Sequence, residues 1–68
     1  MKIKKGRVYE IKGSCYDDPC SYIVKVTSEL IYDHYLATIL SSYNFDIKFY
    51  PSDWESVREL TSLEKELL

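Results

Sequence analysis

Sixty-eight residues make a single domain spanning 1–68 and leave no length for a second. Nine basic against eleven acidic residues give a net charge of −2, which argues against a general polyanion binder, and no apolar run reaches the ~20 residues of a membrane span. A chain this short buries only ~60% of its unfolded surface, so its seven tyrosines, two phenylalanines and one tryptophan are expected to supply area that length does not.

The chain opens with Lys2, Lys4, Lys5 and Arg7. No apolar stretch follows them, so a chain starting at Met1 without a secretion signal is expected in the cytoplasm. Lys5-Gly6 marks a turn, and "RVYEIK" then alternates as a half-buried strand. The stretch "GSCYDDPCS", residues 13–21, reads as a hairpin loop. Asp17, Asp18 and Pro19 are expected to make its turn, with Tyr16 exposed at the tip. Cys15 and Cys20 are expected opposite each other, close enough for a possible disulfide. A reducing cytosol would instead keep them as thiols. "YIVKVT" alternates again and closes an antiparallel hairpin.

"SELIYDH", residues 28–34, fits either a loop carrying Leu30 and Ile31 inward or one helical turn. "YLATILSS" has apolar groups on both faces, as a central strand or a buried helix would; its β-branched content is modest, and the strand is the expectation. "YNFDIKFY" puts Tyr43, Phe45, Ile47 and Phe49 on one face and Asn44, Asp46 and Lys48 on the other, a period no helix produces. That row is expected to be buried. Pro51 ends the strand, and Ser52 with Glu55 has the spacing of a capping box, repeated at Thr61 and Glu64. Two readings follow for 53–67. One is a single helix carrying an apolar stripe from Trp54. The other is a short turn, a strand "VREL" and a last helix at 62–67, which the second capping signal favours. Trp54, after a cap and heading that stripe, is expected in the core.

The expected fold is mainly β, a small antiparallel barrel or bent sheet of four to five strands with a short C-terminal helix closing it. The opening "KKGRVYEIK", Lys4 to Lys12, with its turn glycine before an aromatic and β-branched run, resembles the first strand of SH3-like small barrels of the Tudor and KOW kind. The resemblance covers about residues 4–60 and implies a binding module rather than an enzyme. The chain departs from it in having only Gly6 and Gly13 and in its acidic tail "SLEKELL". Its small, free-standing form also resembles the accessory proteins of phages and mobile elements, which would place it in the cytoplasm of a host bacterium.

No catalytic signature is present. Zinc sites use two closely spaced ligand pairs, whereas this chain has one wide cysteine pair and a single His34; neither metal nor cofactor is expected. Asp17 and Asp18 would raise the pKa of a neighbouring thiol, the wrong direction for a nucleophile. Aromatic groups turned out of the core are the remaining candidates. The expected contact surface is Tyr16, Tyr32, Tyr35 and Tyr50 with the acidic Asp53, Glu55 and Glu59, and its partner another protein that the chain modulates or inhibits. Two alternatives remain. Lys2, Lys4, Lys5 and Arg7 with nearby tyrosines could bind nucleic acid, or an edge strand could pair with its copy in a homo-oligomer. The basic start and acidic end are otherwise expected to be solvated faces that attract each other.

Overall fold

The computed structural model describes residues 3–15, 17–41 and 44–66, apart from the side chains at 15, 64 and 65. Five strands follow one another: β1 (Val8–Cys15), β2 (Asp18–Val26), β3 (Tyr35–Ile39), β4 (Asp46–Phe49) and β5 (Ser56–Glu59). A 3₁₀ turn (Pro51–Asp53) precedes β5, and a five-residue helical segment, α1 (Ser62–Glu66), follows it. The strands form one open antiparallel sheet in the order β4-β3-β2-β1-β5.

The expected turn at Lys5-Gly6 starts the sheet. The Arg7 N–H donates to the Lys4 carbonyl at 3.3 Å, and Gly6 sits at φ +85, the third position of a type II turn that glycine suits. Gly6 N–H donates to the Val26 carbonyl and Val26 N–H to the Arg7 carbonyl, at 2.7 and 3.0 Å, so the turn pins the start of β1 to the end of β2. A Cβ added at Gly6 meets nothing within 4 Å. Gly6→Ala is therefore expected to cost only the backbone strain of a left-handed alanine, about 1–2 kcal/mol, read as a shift of the urea midpoint with an unchanged slope.

Alternation builds the core. Tyr9, Ile11, Val24, Val26, Ala37, Ile39 and Phe49 form one buried cluster, with Ile3, Tyr22, Tyr35, Ile47, Trp54 and Val57 packed around it. The register places these residues across from one another: Tyr9 faces Val24, Val24 faces Ile39, and Ala37 faces Val26 and Ile47. Tyr9 is the largest fully buried side chain. Its hydroxyl accepts the Lys4 N–H at 2.9 Å, so the phenol brings ring area inside without stranding its oxygen.

The hairpin differs from its expected form. Pairing runs on to Cys15↔Asp18, so the connection is two residues long and Asp18 and Pro19 lie within β2. Asp17 supplies the left-handed corner at φ +69. Pro19 is tolerated because of parity. The Lys12 carbonyl accepts Glu55 N–H on the β5 side, so Ser14, of the same parity, exchanges no bond with Pro19 opposite it. The missing N–H of Pro19 thus falls on an unpaired edge, where proline blocks strand addition. Cys20 faces Gly13, and Cys15 faces Asp18, so the two cysteines are not opposite each other. Cys20 is disulfide-bonded in this structure, the alternative to free thiols that the spacing left open.

The C-terminal third follows the second reading in placing a strand before Thr61. The capping box does not form: Tyr50 occupies the N-cap position of the 3₁₀ turn, and no side chain caps it. A helix closing the fold is not supported. The segment after β5 is five residues long and its Leu63 is 70% exposed, so Leu63 does not join the core. The row expected along "YNFDIKFY" is also shorter than its pattern. Asn44 turns at φ +51, β4 starts at Asp46, Phe49 is buried and Phe45 is exposed; Tyr43 lies outside the described residues.

The basic start and acidic end do meet, across the β1–β5 pairing. Arg7 lies 3.8 Å from Glu59 in the expected sense, while Arg58 of the acidic end donates to Glu10 of the basic start at 3.2 Å, the reverse sense. All four side chains are partly solvated, so each pair contributes at most ~1 kcal/mol.

Candidate functional site

The connection between β2 and β3 is a small hairpin. Thr27 N–H donates to the Leu36 carbonyl, and Leu36 N–H to the Ser28 hydroxyl, both at 2.8 Å. Farther out, Ile31 and His34 exchange both backbone bonds, at 2.8 and 3.2 Å. This leaves Tyr32 and Asp33 as the corner. Tyr32 is held at φ +59, an uncommon conformation for a bulky residue, and is 95% exposed. Leu30, Ile31 and Leu36 are exposed beside it. Leu30 and Ile31 are thus neither carried inward nor helical, as either reading of 28–34 would have them. One end of the molecule therefore carries three consecutive outward apolar side chains on a hydrogen-bonded turn.

Behind that tip the other tyrosines are tied down. His34 packs against Tyr50 with ring centroids 5.1 Å apart, while its Nδ1 lies 3.2 Å from the Asp33 carboxylate. Tyr35 lies over Phe49 at 6.3 Å. Tyr32 is the free ring of the three, and Tyr35 and Tyr50 are half-buried supports. Tyr16 and Lys2 lie outside the described residues.

Three concavities flank this frame. A cavity of about 390 Å³ between the N-terminal turn and the tip is lined by Ile3, Lys4, Lys5, Glu29, Leu30 and Tyr35. One of about 260 Å³ is lined by Gly13, Ser14, Lys48, Tyr50, Asp53 and Trp54. A third, about 420 Å³, runs along the hairpin past Lys12, Gly13, Pro19 and Cys20 to Glu55. Asp53 and Glu55 therefore border adjoining hollows that share Gly13. Glu55 is fixed by its N–H to the Lys12 carbonyl, at 2.9 Å, and by the Ser14 hydroxyl, which donates to its carboxylate at 3.4 Å. Glu59 sits four residues on, at the Arg7 end of β5. The acidic residues thus do not form one patch.

The basic set is equally divided. Lys4 and Lys5 share their cavity with Glu29, and Arg7 is spent on Glu59. Among the described residues no group of three or more His, Cys, Asp or Glu converges as a metal would need, and no helix is long and apolar enough to cross a membrane.

Leu30, Ile31 and Leu36 were not among the residues singled out from sequence. The signal was the run Leu30-Ile31-Tyr32 itself: three consecutive apolar residues fit neither strand nor helix period with all three inside. Compared with known families, curated proteins and solved structures, the chain matches no family model, no curated protein and no solved structure.

Proposed function

We propose that this chain is a small binding module without catalytic activity, that its partner is another protein, and that the tip Leu30-Ile31-Tyr32 makes the central contact. The observation that carries this reading is the 95% exposure of Tyr32 on a turn braced by reciprocal hydrogen bonds. The braced backbone of the turn is ordered before any encounter, so binding has only the Tyr32 side chain left to fix there, and tyrosine is among the side chains that dominate binding energy when buried. The left-handed corner supports the same reading, because strain of this kind persists where the surroundings impose it and clusters at ligand contacts. The five-stranded antiparallel sheet also fits the SH3-like small barrel that the opening segment resembles.

Tyr32→Asn separates binding from folding. Asparagine accepts the left-handed corner better than tyrosine, so the variant is expected to be as stable as the parent or more so by up to ~1 kcal/mol in urea unfolding. Capture of partners from a bacterial lysate, read by mass spectrometry, is expected to fall at least ~10-fold, as for loss of an interface anchor. Capture of the same proteins by both forms would remove the tip from the function. Tight, salt-dependent binding of oligonucleotides at low ionic strength, lost on Lys4→Ala with Lys5→Ala, would point to the basic turn and a nucleic-acid partner instead.

A further inference from the structure

We infer that the free edge of β4 pairs with β4 of a second copy about a two-fold axis through Ile47. The inference goes beyond the partner proposed above, because it concerns a different surface and a different occupant.

Parity establishes which groups face out. Ile39 N–H donates to the Phe45 carbonyl at 2.9 Å, and Ala37 faces Ile47 and Tyr35 faces Phe49. The odd residues of β4 therefore bond to β3, and the N–H and C=O of Asp46 and Lys48 point away from the sheet. β4 is the outermost strand on that side. Among the described residues no backbone group bonds to Asp46 or Lys48 outside the strand ladder. β2 carries Pro19 at its unpaired edge; β4, Asp-Ile-Lys-Phe, holds no proline, and beside it the Lys48 side chain borders the hollow lined by Gly13, Asp53 and Trp54.

The segment is complementary to its own reverse. Phe45, Asp46, Ile47, Lys48 and Phe49 read as aromatic, acid, aliphatic, base, aromatic. Antiparallel pairing centred on Ile47 sets Asp46 opposite Lys48 of the second copy twice, and these are the residues whose backbone groups are free to exchange four hydrogen bonds. Opposite charges directly across a ladder favour pairing. Sliding by two residues either way brings Lys48 against Lys48 or Asp46 against Asp46, so charge selects one register. The same register brings the exposed Phe45 opposite Phe49 of the second copy, on the core-facing side of the sheet. Thr38 donates to the Asp46 carboxylate at 2.7 Å and holds it on the outer face. Such an interface is isologous and closed, giving a dimer rather than a fibre. A single four-residue edge strand on each side makes an interface smaller than the ~800 Å² per partner of a standard one, so the association is tested up to high-micromolar concentration.

Sedimentation equilibrium across that range, with amide hydrogen exchange, tests it. The wild type is expected to move from monomer towards dimer, with the Asp46 and Lys48 amides gaining protection as concentration rises. Asp46→Lys and Lys48→Asp each place like charges across both symmetric pairs and are expected to weaken association at least ~10-fold. Mixing the two variants, or combining both changes in one chain, restores opposite charges and is expected to restore dimer. Restoration on mixing also shows that each single variant is folded. A wild type that stays monomeric, single variants that dimerise as well as the parent, or a dimer without protection at these two amides each overturns the inference. Tyr32→Asn leaves this pairing intact, so failure here and failure of the proposed binding function are read separately.

Discussion

Phe49→Ala is expected to leave the chain largely unfolded in water. Phe49 is fully buried on a four-residue edge strand and is one of the two largest side chains in the core. Truncating a buried phenylalanine costs about 3–5 kcal/mol through lost transfer energy and the cavity that remains. A domain of this length has only about 3–10 kcal/mol in total, at ~0.05–0.15 kcal/mol per residue. The cavity cannot collapse easily. The ring is flanked by Tyr35, whose own position depends on it, and β4 is held to the sheet from one side only. Phe49→Leu keeps most of the volume and is expected to lose less than about 1.5 kcal/mol. Far-UV circular dichroism with urea titration compares the two. An alanine variant with a cooperative transition within about 1 kcal/mol of the parent would mean that β4 contributes little to the fold.

What was legible in the sequence was the strands whose patterning and propensity agree. "YIVKVT" alternates and is rich in β-branched and aromatic residues, and its even members lie inside β2; "YLATI", apolar on both faces and modest in β-branched content, is a strand with Ala37 and Ile39 inside. The hairpin arm was not legible, because its local preference and its pairing disagree. Gly13, Asp18 and Pro19 are poor strand formers, yet they continue a ladder already aligned by five facing pairs, Val8↔Lys25 to Lys12↔Ser21. Cross-strand register decided the matter, and register is not a local property. Ser52 failed as a cap for a related reason. A three-residue 3₁₀ turn begun by Pro51 leaves no helix for Ser52 to cap. For the candidate site, sequence identified Tyr32 by type but not by exposure. Its difference from Tyr35 is that Tyr35 sits opposite Phe49 on β4, a long-range fact. The acidic residues Asp53, Glu55 and Glu59 were grouped by proximity in sequence, but Asp53 ends the 3₁₀ turn, Glu55 precedes β5 and Glu59 ends β5, and each residue of that strand advances ~3.3 Å along β1.

Gly13→Val is expected to have the second largest effect, and it addresses why a glycine lies inside β1 at all. A Cβ built on Gly13 falls 3.0 and 3.4 Å from two carbons of the Trp54 ring. The indole packs against the strand at that point, in a T-shaped contact with Tyr22, ring centroids 5.8 Å apart and planes at 85°. Gly13 thus lets the backbone serve as the floor under the ring. Alanine would force a shift of a few tenths of an ångström, partly offset by the ~0.5–1 kcal/mol that glycine loses to chain entropy. Valine adds two more methyl groups in the same space and is expected to cost about 3 kcal/mol, the upper end for overpacking. Trp54 is the only tryptophan, so its fluorescence reports the displacement directly: emission should move towards that of an exposed indole before the main unfolding transition. A second change, Trp54→Leu, should cost less in the valine background than alone, because the groups that clash are no longer both present; a coupling above about 0.5 kcal/mol is the expected signature. Additive effects would mean that Gly13 is needed for something other than this ring. The displacement also bears on the surface, because Trp54 and Gly13 together line the hollow that holds Tyr50 and Asp53, and a lifted indole fills it.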